Sequence, residues 1–231
     1  MLKNKKVVYF CQECGYESSK WMGQCPSCKA WGAFSEEPVI KNVSSSGAGS
    51  ARRSYEQIKP VSINEINADE DERIDTGFEE FQRVLGGGIV PGSLVLIGGD
   101  PGIGKSTLLL QAAGNVAASG RSVIYISGEE SLRQIKLRAD RIGRLSDNLK
   151  FVSDTDIDRI TDMLGQEHPD LCIIDSIQTM HTEDAQSVPG SVTQVRECTQ
   201  RLMISAKTNA IATFLVGHVT KEGTVAGPRV L

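Results

Sequence analysis

The segment GDPGIGKS (residues 99–106) fits G-x-x-x-x-G-K-[ST], and it narrows the possible fold more than any other feature of the chain. The motif works only between a strand and a helix. The apolar run SLVLIGG (93–99) supplies the strand, and KSTLLLQAAGNVAASG opens the helix, with Leu108, Leu109, Ala112, Ala113 and Val116 near helical spacing. In that setting glycines let backbone N–H groups curl round phosphates, and the helix start adds the positive end of its dipole. Gly99, Asp100, Pro101, Gly102, Ile103, Gly104, Lys105, Ser106 and Thr107 are therefore the candidate nucleotide contacts. Lys105 would act as a point charge on the outer phosphates, the Ser106 hydroxyl would ligate Mg²⁺, and Thr107 would lie under the nucleotide. A dinucleotide fingerprint is excluded because G-x-G-x-x-G fails at Thr107.

Beyond the loop, short apolar runs alternate with helical patterns. SVIYIS (122–127), LCIIDSI (171–177) and AIATFLVGHV (210–219) read as strands, and SLRQIKLRADRIG, about 156–167 and about 192–207 as helices. Buried parallel strands are continuous apolar runs, and strand–helix alternation implies right-handed crossovers. The expected fold class is α/β with a mostly parallel sheet.

Two further carboxylate positions belong to this core. Asp175 ends the strand CIIDS, where a carboxylate would hold Mg²⁺ opposite the loop serine. Glu129 and Glu130, in YISGEES, follow the strand after the phosphate-loop helix, and the C-terminal strand ends of a parallel sheet share the edge where ligands bind. A carboxylate there can orient and deprotonate a water for in-line attack on a γ-phosphate, and either glutamate suits. The plainer reading of the pair is a helix start, with acidic first-turn residues and Ser131 as cap.

The leading segment is of another kind. Cys11, Cys14, Cys25 and Cys28 are spaced C-x₂-C, ten residues, C-x₂-C, as two knuckles that complete a tetrahedral, closed and therefore structural zinc site. Trp21 and Trp31 are expected to pack round that site, with stacking on nucleic-acid bases as the alternative. Residues 1–34 carry five Lys against two Glu, whereas the whole chain has a net charge of −4 and no global pull towards nucleic acid. NVSSSGAGSA marks a flexible linker. The expected organisation is a zinc ribbon at 1–34, a linker at 35–59 and a nucleotide-binding domain at 60–231. With 39% hydrophobic and 23% charged residues, and neither a membrane-length apolar run nor a convincing signal peptide, the expected location is the cytoplasm. Asp154, Asp156 and Asp158 are read as helix caps rather than a calcium loop, because Arg159 stands where the loop needs Gly. HTEDAQSVPGS is read as a mobile surface loop, and Cys172 and Cys198 as buried apolar residues.

A phosphate loop, a glutamate after the next strand and an aspartate on a later one resemble the RecA-type ATPase core. TGFEEFQRVLGGGIVPGSLVLIGGDPGIGKSTLLLQ and VIYISGEES, with the leading cysteines, resemble the RadA (Sms) family of bacterial DNA repair proteins over nearly the whole chain. That resemblance implies ATP, Mg²⁺ and Zn²⁺ as cofactors and a DNA-dependent ATPase acting as a branch-migration motor. It also implies single-stranded DNA, branched recombination intermediates and a RecA-type recombinase as partners, and a ring, typically a hexamer. His218, ending LVGHV, becomes the candidate γ-phosphate sensor, with a purely structural histidine as its alternative. Lys221 and Arg229, in a stretch like the loop lining the DNA channel, become candidate DNA contacts. Family members continue with a KNRFG motif and a Lon-protease-like domain, so the chain reads as an N-terminal fragment. The alternative function is a nucleotide-switched interaction module whose zinc ribbon binds a protein.

Overall fold

The structure, a computed structural model, describes residues 7–11, 16–27, 29–38, 62, 73–143, 145–185 and 187–218. Lys221 and Arg229, two of the cysteines (Cys14 and Cys28) and the linker segment 39–59 lie outside these.

The leading unit is a three-stranded antiparallel sheet in the order β2-β1-β3, with β1 Val7–Cys11, β2 Glu17–Ser18 and β3 Phe34–Pro38. β3 pairs with β1 from Val7↔Pro38 to Cys11↔Phe34, so the ribbon runs four residues into the stretch read as linker. FSEEP escaped notice because an edge strand of so small a sheet needs few inward apolar residues. Phe34 is buried beside Cys11 and Cys25, and Pro38 is tolerated at a strand end.

The larger unit is a five-stranded, wholly parallel sheet. Its strands are β4 (Leu94–Gly99), β5 (Val123–Ser127), β6 (Leu149–Ser153), β7 (Leu171–Asp175) and β8 (Ala212–His218), in the order β4-β8-β7-β5-β6. A short helix, α1 (Glu79–Val84), precedes the first strand of this sheet. The period of two decides how the sheet is covered. Val123 and Tyr125, Leu171 and Ile173, and Ala212, Phe214 and Val216 share a core with Leu109, Leu110, Ala113 and Val116 of α2 (Lys105–Ala118) and Ala139 of α3 (Leu132–Ile142). Ile124 and Ile126, Cys172 and Ile174, and Leu215 pack instead with Ile157, Ile160 and Leu164 of α4 (Ile157–Glu167) and Val195, Cys198 and Leu202 of α5 (Val192–Asn209). Burial on both faces is what makes these strands read as unbroken apolar runs. Each fully buried Ile or Leu contributes about 2 kcal/mol, which is why the two faces are so strictly sorted. Cys172 and Cys198 are core residues as expected, and burial pushes the Cys198 thiol up to about 12.

β6 lacks the unbroken apolar run of the other strands: LKFVS sits at the sheet edge, only Leu149 is buried, and its pattern is diluted. The segment read as a mobile loop is tied down. Gln194, 2% exposed, donates to the carbonyls of Thr182, Ala185 and Ser187 and accepts from Thr182 N–H at 2.9 Å. Among the described residues no helix is long and apolar enough to cross a membrane.

Candidate functional site

Because all five strands are parallel, Gly99, Ser127, Ser153, Asp175 and His218 end at one edge. β8 lies between β4 and β7, and in register His218 stands beside Gly99. The last strand thus delivers a polar residue next to the start of the phosphate loop. His218 is described only as the backbone end of β8.

The loop has the form its glycines require. Gly102 and Gly104 have φ of 80° and 101°, and a methyl group at either would meet nothing within 4 Å. Their role is therefore conformational, and the concave side is open. Helix α2 begins at Gly104 with no side-chain cap, whereas Ser131, Asp156 and Ser191 cap α3, α4 and α5. The first-turn N–H groups of α2 are thus presented to an anion. Lys105 is 8% exposed, and its Nζ donates to the carbonyls of Gly99 at 2.7 Å and Asp100 at 2.9 Å. Both partners are dipoles rather than countercharges, so a phosphate suits this ammonium. Ser106 is half-buried on the same turn, and Thr107 is exposed.

Asp175 is the buried carboxylate of the edge, 7% exposed, and shares the face of the sheet that α2 covers with Ile173 and Tyr125. The Tyr125 hydroxyl donates to its Oδ2 at 2.5 Å. Burial, with the Asp175 carboxylate beside it, pushes the phenol above its ordinary range and keeps it a proton donor. Arg138 of α3 donates to the Tyr125 hydroxyl at 3.4 Å and pairs with Glu130, Nη2 to Oε2 at 3.0 Å and Nη1 to Oε1 at 3.3 Å.

The two glutamates are therefore in different situations. Glu130 is half-buried and clasped by Arg138, and its backbone N–H is held by Ser127 Oγ at 3.0 Å. Glu129 is exposed at the edge, and its Oε1 accepts from Ser176 Oγ, the residue after Asp175, at 2.6 Å. Neither caps the helix. Ser131 does, in a capping box with Gln134, and the first turn of α3 contains no acidic residue. Gly128 sets the turn: a Cβ there would stand 2.1 Å from Thr179 Oγ1 and 2.8 Å from Thr179 Cβ. Its N–H donates to the Asp175 carbonyl at 3.0 Å, drawing the turn after β5 onto the end of β7.

Tyr125, Arg138, Ser176 and Thr179 belong to no sequence motif, and the structure alone brings them to the site. The one available signal was Tyr125 itself, a polar-tipped residue in an otherwise aliphatic strand. Its partner emerges only from the register Tyr125↔Ile173, which puts it two residues before Asp175 on the same face. The triple-Asp segment is a capping device as expected: Asp156 accepts from Asp158 and Arg159 N–H groups, and Asp154 from Thr155 and Asp156.

In the ribbon, Cys11 and Cys25 are fully buried in one small cluster. Their backbones turn back through Cys11 N–H to Tyr16 O at 3.0 Å and Lys29 N–H to Cys25 O at 2.9 Å. The tryptophans do not pack round that centre: Trp21 is 60% and Trp31 77% exposed, and their rings flank Gly23. Phe34, Tyr9 and Met22 pack with the two cysteines instead.

Comparison with known families matches residues 60–224 to the AAA domain and residues 9–36 to the rubredoxin metal binding domain. The "DNA repair protein RadA" of Halalkalibacterium halodurans is 52% identical over 236 residues, covering 100% of this chain and 50% of that protein. The protein of the same name from Bacillus subtilis is 52% identical over 226 residues, covering 98% of this chain and 49% of its own length. The chain thus spans about half the length of the curated relatives it matches. Among solved structures, a DnaB-like replicative helicase, described with its interactions with primase, superposes with a TM-score of 0.52 at 17% identity. That match covers 64% of this chain and 45% of the other, and it is a likeness of fold.

Proposed function

The chain belongs to the AAA domain family, and on that premise we propose that it is the ATP-hydrolysing part of a RadA-like DNA repair motor, preceded by a structural zinc ribbon. The observation that carries this reading is the meeting, at one sheet edge, of an uncapped glycine loop holding Lys105, a buried Asp175 and an exposed Glu129.

In this reading the N–H groups of residues 102–107 and the Lys105 ammonium bind the phosphates of ATP. Ser106 and Asp175 hold Mg²⁺, which when bound neutralises charge on the β- and γ-phosphate oxygens. Glu129 orients the attacking water and accepts its proton, and Ser176 fixes the carboxylate's direction. His218 serves as the γ-phosphate sensor, consistent with its register beside Gly99. Cys11, Cys14, Cys25 and Cys28 hold Zn²⁺ and thereby fold the ribbon. The names of the relatives support action on DNA in repair. Single-stranded DNA and branched intermediates are the proposed substrates, Lys221 and Arg229 the proposed phosphate contacts, a RecA-type recombinase the proposed partner, a hexameric ring the assembly and the cytoplasm the location. The proposed organisation is a ribbon through Pro38, a linker to about residue 59 and the ATPase domain from residue 60.

The test is ATP turnover by the complete protein, titrated with single-stranded DNA at several salt concentrations. The motor reading expects stimulation that falls steeply with salt. Turnover indifferent to every DNA tested contradicts it and favours a nucleotide-switched module that docks a protein partner, the reading to which the exposed Trp21 and Trp31 lend weight.

A further inference from the structure

Glu130, Arg138, Tyr125 and Asp175 form a continuous chain of contacts from the turn after β5, by way of α3, to the buried end of β7. We propose that Glu130, Arg138 and Tyr125 are positioning residues that fix the Asp175 carboxylate, and that Glu130 takes no part in proton transfer. The proposal rests on the reading of Asp175 as the magnesium-side carboxylate given above.

The argument begins with what each group is able to donate. Guanidinium has donors only, so Arg138 can engage the Tyr125 hydroxyl only through an oxygen lone pair. The single hydroxyl proton is thereby committed to its other neighbour, Asp175 Oδ2, at 2.5 Å. A donor fixed on Oδ2 sets the plane of the carboxylate and hence the direction of Oδ1. Without it, a carboxylate at the end of a strand rotates about its terminal torsion, which is broad.

Arg138 needs an anchor of its own to perform this. Its side chain is 18% exposed and pairs with Glu130: Nη1 donates to Oε1 at 3.3 Å, and the charge of Nη2 lies 3.0 Å from Oε2, so the ion pair holds the guanidinium beside Tyr125. Glu130 is anchored in turn by its N–H to Ser127 Oγ, on the residue that pairs with Asp175 in register. The chain of contacts therefore closes on the same two strands it starts from, and Tyr125 is fully buried between them. Both Glu130 oxygens face Arg138, whereas Glu129 meets the edge from the other side of the turn through Ser176. Two adjacent glutamates thus divide the work, one towards water and one towards the metal-side aspartate.

The experiment uses the complete protein and a fluorescent ATP analogue, with Tyr125→Phe, Arg138→Met and Glu130→Gln. For each, nucleotide affinity is measured in EDTA and across a Mg²⁺ titration. For Tyr125→Phe the half-saturating Mg²⁺ should rise about tenfold, the scale of one lost hydrogen bond to a charged group, with affinity in EDTA unchanged. Arg138→Met should shift it in the same direction, and Glu130→Gln by less. With Mn²⁺ as the probe, the electron paramagnetic resonance line of the bound metal–nucleotide complex should broaden in Tyr125→Phe. A wild-type Mg²⁺ curve in both Tyr125→Phe and Arg138→Met overturns the proposal, as does an equal loss of affinity in EDTA, which signals general damage. If the unaltered protein itself fails to bind the analogue, the nucleotide-site reading falls instead, so the two failures are distinguishable.

Discussion

Ser176 Oγ lies 2.6 Å from Glu129 Oε1, joining the turn after β5 to the residue that follows β7. Neighbouring strands of one parallel sheet thereby present a carboxylate and its orienting hydroxyl together. Ser127 and Asp175 stand opposite one another, so each strand's next residues meet across the edge. Function at this edge depends on how the turn is held, and several consequences follow from the contacts that hold it.

Gly128→Ala introduces a methyl group 2.1 Å from Thr179 Oγ1, itself bound to the Ser176 carbonyl at 2.8 Å. Overpacking of this kind costs about 1–3 kcal/mol. Thermal unfolding should begin several degrees lower, and ATP turnover should fall with the displaced Glu129. An unaltered Tm would show that the turn relaxes freely.

Lys105→Ala removes the ammonium that bridges the Gly99 and Asp100 carbonyls and faces the loop. Affinity for a fluorescent ATP analogue should drop at least about tenfold, as expected for losing a charge-assisted phosphate contact. Retained affinity would separate the loop from nucleotide binding altogether.

Gln194→Leu leaves the carbonyls of Thr182, Ala185 and Ser187 without the amide that gathers them. The expected loss of stability is about 2 kcal/mol or more, since each stranded buried group costs about 1–3 kcal/mol. Limited proteolysis should then cut between residues 182 and 187 faster than in the unaltered protein; an equal rate would mean that the Gln194 amide does not hold this segment.

Both tryptophans of the chain lie in the ribbon and both are exposed, so selectively excited tryptophan fluorescence reports on that unit alone. Acrylamide should quench the folded protein almost as efficiently as the denatured one. Stripping zinc should shift the emission maximum only slightly, even as circular dichroism records loss of the small sheet. A large red shift on metal removal would mean that the indoles pack round the metal after all.

The parts legible from sequence are those in which local pattern and burial agree. β5, β7 and β8 are apolar because helices cover both of their faces, and GDPGIGKS has its form because Gly102 and Gly104 adopt positive φ. β3 and β6 were missed because edge strands bury too little to carry a pattern. Glu129 and Glu130 were indistinguishable in the string YISGEES. What separates them is Arg138 on α3, 8 positions after Glu130, and Ser176, the residue that follows β7, contacts that depend on register and helix phase. Trp21 and Trp31 depart from expectation for the converse reason: large apolar residues usually seek a core, but the small core here gathers Cys11, Cys25 and Phe34 and leaves both indoles exposed.

The central claim, that this edge hydrolyses ATP with Glu129 as base, is tested most directly by single-turnover hydrolysis in the complete protein at saturating Mg²⁺. Glu129→Gln should bind ATP normally but slow the chemical step by about 10²-fold or more, the usual contribution of a general base. Glu130→Gln should remain within about tenfold of the unaltered rate, because its carboxylate faces Arg138 rather than water. Hydrolysis undiminished in Glu129→Gln, or lost instead in Glu130→Gln, would contradict the account.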